Sequence, residues 1–265
     1  MPKREIALSS RTLADAAPAE LIEAAAAAGF DAAGLWIDAG RWDATTTRSV
    51  RERLSDTGLQ VLDVEVLSLA ADVTDTTLER ILEIGGAVGA RNALVIGMDP
   101  DPGRTADRFA WLCERADLHG IRPALEFMRF TAVRTLEEAL GIVQRAGHPA
   151  GGVLVDALHL IRSGGRPAEL ESVDPKLLPY AQICDAPASA ADDALTTLVH
   201  EALEGRLLPG EGALPVAEIV SRLPDGCPIS CEILSKDLRT RFPDPGARAR
   251  AVFETTRRFL EAAGG

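Results

Sequence analysis

Aromatic residues are scarce in this 265-residue chain, at 4%, and basic residues are outnumbered: 28 Lys and Arg stand against 40 Asp and Glu, a formal net charge of −12. With few rings available and 46% hydrophobic residues overall, a core must be built from aliphatic side chains and alanine. A surface of that sign repels phosphate backbones, which argues against nucleic acid as a partner. No apolar run reaches the ~18 residues a membrane span needs, and no apolar leader follows the opening Met1-Pro-Lys-Arg-Glu. Cys113, Cys184, Cys227 and Cys231 form no CxxC pair and read as reduced, buried thiols. From these features the expectation is a cytoplasmic protein, with neither a membrane nor nucleic acid as partner. There is no domain linker, and the only low-complexity stretch is the alanine run at 24–28, a strong helix former.

What the chain does have is alternation. Strand-like runs at 5–9, 31–36, 60–67, 92–97, 122–127, 152–156, 180–184 and 229–234 are separated by helix-like segments. Helices are expected at 19–28, 48–57, 105–118, 135–146, 192–204 and 247–262, with one more begun by Pro215. Another carries Leu78, Ile81, Leu82, Gly85 and Val88 on one face. Gly29 and Gly58 stop the first two helices, and Thr135 with Glu138 forms a capping box. An open doubly wound sheet would carry a Gly-rich phosphate loop after the first strand, where this chain has Ser9-Ser-Arg-Thr-Leu. The pattern therefore predicts an α/β fold, a single (β/α)8 TIM barrel, as one domain over 1–265.

In such a barrel the strand C-termini converge on one mouth. Glu126, Asp156, Gln182 and Glu232 close successive apolar runs and are expected to meet there. Packed carboxylates cannot all ionise without a cation, and oxygen donors suit hard divalent ions such as Mn²⁺ or Mg²⁺. Co²⁺ and Ni²⁺ are compatible; Zn²⁺ fits less well because no histidine or cysteine stands among the four. His159, three residues past Asp156, can face the same mouth and hydrogen-bond or protonate a substrate oxygen. Arg162 suits an anionic or polyhydroxy substrate. Arg206 and Glu211, in the Arg206-Leu-Leu-Pro-Gly-Glu-Gly loop, should border the pocket, with a mutual Arg206–Glu211 pair as the alternative. Trp36 offers a sugar ring an apolar wall and Glu65 can accept from hydroxyls. Met98 reads as packing, Arg129 and Thr131 as minor pocket candidates, and His119, His148 and His200 as structural or surface residues.

Leu125-Glu126-Phe127, Val155-Asp156-Ala-Leu-His159, Gln182-Ile-Cys-Asp185, Pro209-Gly-Glu-Gly212 and Cys231-Glu232 together resemble the sugar phosphate isomerase/epimerase superfamily, the xylose isomerase-like barrels. The resemblance spans nearly the whole chain and does not specify a substrate. It implies that Glu126 and Glu232 bind metal and move protons, that Asp156 is purely a ligand, and that His159 contacts substrate. It also implies a supporting role for Asp185. The ketose epimerases carry histidine where this chain has Gln182; hydroxypyruvate-isomerase-like members carry glutamine. The activity implied is a metal-dependent sugar or sugar-phosphate isomerase or epimerase, acting through an enediolate on a small polyhydroxy carbonyl compound. A dehydratase of the inosose or dehydroshikimate type on the same scaffold is the alternative, reached when a β-hydroxyl leaves. Abasic-site endonucleases share the barrel but need several zinc ions and many histidines, against four histidines here. A barrel that binds a ligand without turnover is the remaining class. Homo-oligomers are common in the superfamily, and the chain is compatible with one.

Overall fold

The computed structural model describes residues 4–264. Eight parallel strands close in sequence order into a barrel. They are β1 (Ile6–Leu8), β2 (Ala32–Trp36), β3 (Gln60–Leu69), β4 (Asn92–Gly97), β5 (Arg122–Glu126), β6 (Gly152–Asp156), β7 (Ala181–Ile183) and β8 (Ile229–Cys231). Around them run α1 (Pro18–Ala28), α2 (Ala44–Thr57), α3 (Asp75–Ala87), α4 (Pro102–Asp117), α5 (Leu136–Ala146), α6 (Ala157–Arg162), α7 (Leu195–Glu204), α8 (Val216–Arg222), α9 (Lys236–Arg241) and α10 (Pro245–Ala262). No helix among the described residues is long and apolar enough to cross a membrane.

The local signals act as expected. Pro18 opens α1 and Gly29 closes it at φ 102°. The Thr135 hydroxyl accepts from the Glu138 amide at the start of α5. The returning half of the capping box is displaced by one residue, because the Glu138 carboxylate accepts from the Arg134 amide at 2.6 Å rather than from Thr135. Strands buried on both faces explain the unbroken aliphatic runs. One apolar layer fills the space between strands and helices. A second holds Ala7, Ala32, Leu62, Leu94, Ala124, Leu154 and Tyr180. Ala124, Leu154 and Tyr180 stand two residues before Glu126, Asp156 and Gln182, so by strand alternation this second layer is the floor beneath the mouth.

Candidate active site

Each strand end delivers its side chain inward for the same reason: residues two apart along a strand share a face, and the face below is already apolar. Glu126 ends β5, Asp156 ends β6, Gln182 lies in β7 and Glu232 follows β8 directly; all four are buried. Asp156 also caps α6. Its Oδ1 accepts from the His159 amide at 2.9 Å, which turns His159 into the same space. One donor atom each from Glu126, Asp156 and His159 lies within 4.8 Å of the others. Gln182 Nε2 donates to Glu232 Oε1 at 3.2 Å.

Arg206 is the hub of this cluster. Its guanidinium reaches Asp156 Oδ2 at 2.6 Å and Glu232 Oε2 at 2.8 Å, and Nη2 lies 3.3 Å from His159 Nε2. Glu211, the alternative partner, is exposed and pairs with Arg241 instead. Because a guanidinium only donates, His159 Nε2 accepts and the ring proton sits on Nδ1. Burial lowers the His159 pKa to about 4, Arg206 adds to that, and Asp156 opposes it, so the ring is neutral at physiological pH. Burial raises Asp156, yet Arg206 and His159 outweigh it and the net shift is downward. Glu232 is raised to about 7, by burial first and by Glu65 and Asp156 against the pull of Arg206. Glu126 is raised well above the carboxylate range by burial and by Glu232 and Asp156.

Beside Glu232 lies a second carboxyl set. Glu65 Oε1 accepts from the Ser10 hydroxyl at 2.6 Å, and the Ser9 hydroxyl stands 3.3 Å from Glu65 Oε1 and 3.2 Å from Glu232 Oε1. Deeper in, Tyr180 donates to Asp63 Oδ2 at 3.3 Å. Burial raises Asp63 and Glu65 to about 7 each, with Glu232 adding to the first and Asp63 to the second. Ser9, Ser10, Asp63 and Tyr180 were not among the sequence candidates. The one available signal was Asp63 two residues before Glu65, a second carboxylate on the same strand face.

Other candidates lie elsewhere. Arg162 is held by Glu201 through two 2.7 Å contacts and donates to Pro187 O at 2.6 Å. Its guanidinium thus ties α6 to α7 and the segment before α7, which departs from the expected substrate contact. Glu211 is likewise outside the cluster. The glycines around it serve Asp185: that carboxylate accepts from the Gly210, Leu214 and Ala186 amides, and a Cβ on Gly212 would fall 2.4 Å from Asp185 Oδ1. Asp185 therefore folds the loop that carries Arg206. Trp36 is 41% exposed at the end of β2. Thr131 closes its own turn on Met128 and Val133, and Arg129 pairs with Asp193 at 2.8 Å. His119, His148 and His200 lie outside the cluster.

The donor set fits a hard divalent cation. Glu126 Oε1 and Gln182 Oε1 are buried without a hydrogen-bond partner. An orphaned buried polar atom costs about 1–3 kcal/mol, so a ligand that satisfied both would be retained. Once Glu126 and Glu232 ionise, Arg206 alone does not neutralise them together with Asp156, and a divalent cation would supply the missing charge. In this arrangement His159 has no free nitrogen lone pair, since Nε2 accepts from Arg206 and Nδ1 carries the proton, so the donor set stays one of oxygens.

The family described as xylose isomerase-like TIM barrel matches residues 22–261. The 3-dehydroshikimate dehydratase of Pseudomonas putida is 27% identical over 238 residues, covering 83% of this chain and 36% of that protein. The 3-dehydroshikimate dehydratase of Pseudomonas aeruginosa is 28% identical over 212 residues, covering 75% and 32%. The chain thus spans about a third of the length of these curated relatives. Among solved structures, an IolI protein with a bound zinc atom superposes with a TM-score of 0.83 at 17% identity, covering 98% of this chain and 99% of that one. A D-allulose 3-epimerase from Methylomonas gives 0.71 at 18% identity, covering 97% and 98%. At such identities the structures speak for the fold.

Proposed function

Because the chain belongs to the xylose isomerase-like TIM barrel family, we propose that it is a divalent-metal-dependent lyase that removes water from a small cyclic hydroxy ketone of the 3-dehydroshikimate kind. The observation that carries an enzymatic reading is the buried group of Glu126, Asp156, Gln182 and Glu232 with two unpartnered oxygens. Both curated relatives reported above bear the dehydratase name, and that favours loss of water over the isomerase or epimerase outcome that motif order alone placed first.

Glu126, Asp156, Gln182 and Glu232 would hold the ion, with His159 adjoining. When bound, the ion would supply positive charge to stabilise an oxyanion next to the reacting carbon. The chain's own groups do the rest. Glu126, as a carboxylate, removes the proton α to the ketone. Glu232 takes up that proton in turn and passes it to the departing β-hydroxyl. One C–H and one C–O bond break, a C=C bond forms, and the proton and hydroxyl leave the carbon skeleton as water. His159 presents Nδ1–H to a substrate oxygen while its Nε2 stays on Arg206. Arg206 fixes the spacing of Asp156 and Glu232.

The test is to incubate the protein with 3-dehydroshikimate in deuterated water, with and without Mn²⁺, and follow the products by NMR. The expected result is a dehydrated product formed only with metal present. An isomer that keeps all its oxygens would replace the lyase with the isomerase reading.

A further inference from the structure

The arginines around the mouth are not equally engaged. Arg206 is held by Asp156 and Glu232, Arg162 by Glu201 and Arg129 by Asp193. Arg41 sits 3.5 Å from Asp38. Arg11, in the short 3-10 turn Ser10–Leu13 after β1, has no carboxylate within ion-pair distance among the described residues. Its guanidinium carbon lies 4.5 Å from the centre of the Trp36 ring. Stacking a planar cation on an indole face restrains it and leaves its in-plane N–H edge available to a second planar partner. A cavity of about 390 Å³ opens at this place, lined by Ser10, Arg11, Leu35, Trp36, Asp38 and Arg41 among others.

This cavity adjoins the carboxyl cluster. Ser10 lines it and also donates to Glu65 Oε1 at 2.6 Å, while Trp36 is the strand neighbour of Glu65 in the β2–β3 register. Arg11 is close enough for its charge to oppose the upward push that burial and Asp63 give the Glu65 carboxyl. An anionic substrate whose carboxylate pointed inward would set it among the oxygens of Glu65, Glu126, Asp156 and Glu232 and turn its own ketone away from Glu126. Its charge has to be met at the rim, with the ketone and hydroxyls turned toward the cluster. A carboxylate accepting from a fixed guanidinium fork gains both energy and orientation.

We propose that Arg11, held against Trp36, binds the carboxylate of the substrate and makes this barrel selective for cyclic hydroxy acids over neutral polyols. The proposal rests on the dehydratase reading for the identity of the acid, but the anion site can be tested without turnover. The probes are shikimate, which has the carboxylate and ring hydroxyls but no ketone, and its methyl ester. Binding of each to the full chain is measured by calorimetry, for wild type, R11M and R11K. Wild type is expected to prefer the acid by about 10- to 100-fold, the worth of a charge-assisted contact. R11M should bring the acid-to-ester ratio toward unity and R11K should restore part of it. In turnover of 3-dehydroshikimate, R11M should raise KM by a similar factor with kcat nearly unchanged. A merely structural role for Arg11 would weaken acid and ester together. An R11M protein that keeps the wild-type ratio, or a wild type without preference, overturns the proposal. A wild type that discriminates through Arg11 yet dehydrates nothing overturns the dehydratase reading and leaves the anion site standing.

Discussion

At the scale of single residues, the cluster joins carboxyls that burial keeps protonated to one permanent cation. Glu126→Gln and Glu232→Gln preserve shape and remove the titrating group. Each is expected to lower kcat by about 10²–10⁴-fold, the usual worth of a positioned acid or base; Glu126→Gln should keep the melting temperature, while Glu232→Gln also loses the buried pair with Arg206 and should lower it. Full turnover in both variants would end their assignment as proton carriers. Arg206→Met acts differently, because it leaves Asp156 and Glu232 without their cation. Breaking a buried pair from one side costs about 3–5 kcal/mol. Asp156 has its folded pKa below the unfolded value, so its contribution is present above about pH 4 and is lost as pH falls through the folded value. The gap in urea midpoint between wild type and Arg206→Met should therefore be wider at pH 7 than at pH 3.5. Glu126, Asp156, Gln182 and Glu232 were legible in the sequence because a parallel barrel sends its strand ends to one place. The centrality of Arg206 was not, since Asp156 lies 50 positions away and nothing local selects it over Glu211. Ser9 and Ser10 were invisible for a related reason: a serine hydroxyl announces no partner until the fold supplies one.

At the scale of elements, all eight strands could be read from aliphatic runs, with differences only at their ends. β7 and β8 shrink to three residues each, and β3 extends to Leu69, beyond the expected 67. The connections were harder. α9 and the 3-10 segments Pro167–Ser172 and Pro175–Leu177 are too short to show a periodic face, so periodicity could not find them. Arg162 belongs to this scale. Its side chain and that of Glu201 are 8% and 11% exposed, a nearly buried pair that fastens α6 to α7. Because α6 carries His159, a substrate contact for Arg162 followed in the sequence from proximity to that histidine. Arg162→Met is expected to cost about 3 kcal/mol of stability, since it strands Glu201, and to leave KM unchanged. Urea unfolding and steady-state kinetics on one preparation separate the two accounts. A raised KM with unaltered stability would restore the substrate role.

At the scale of the molecule, the barrel gathers protons as well as side chains, and that gives its stability an unusual pH dependence. Asp63, Glu65 and Glu232 have folded pKa values of about 7, raised above those of an unfolded chain by burial first. The folded state holds protons that the unfolded chain releases. The resulting stability is complete below about pH 4 and declines as pH rises toward and past 7. Carboxylates shifted the other way, such as Asp99 at about 2 beside Arg104, lose their contribution only in stronger acid and do not cancel this trend between pH 5 and 8. Metal-free protein is thus expected to melt at a higher temperature at pH 5 than at pH 8. Mn²⁺ competes with the protons on the same oxygens, so it should raise the melting temperature strongly at pH 8 and weakly at pH 5. Asp63→Asn separates the two causes. Asp63 is outside the proposed ligand set, and its replacement should flatten the metal-free decline while the metal-induced rise at pH 8 persists. If Mn²⁺ gave the same rise at both pH values, the protons and the ion would not share a site, and the buried carboxyls would have to be explained without a metal.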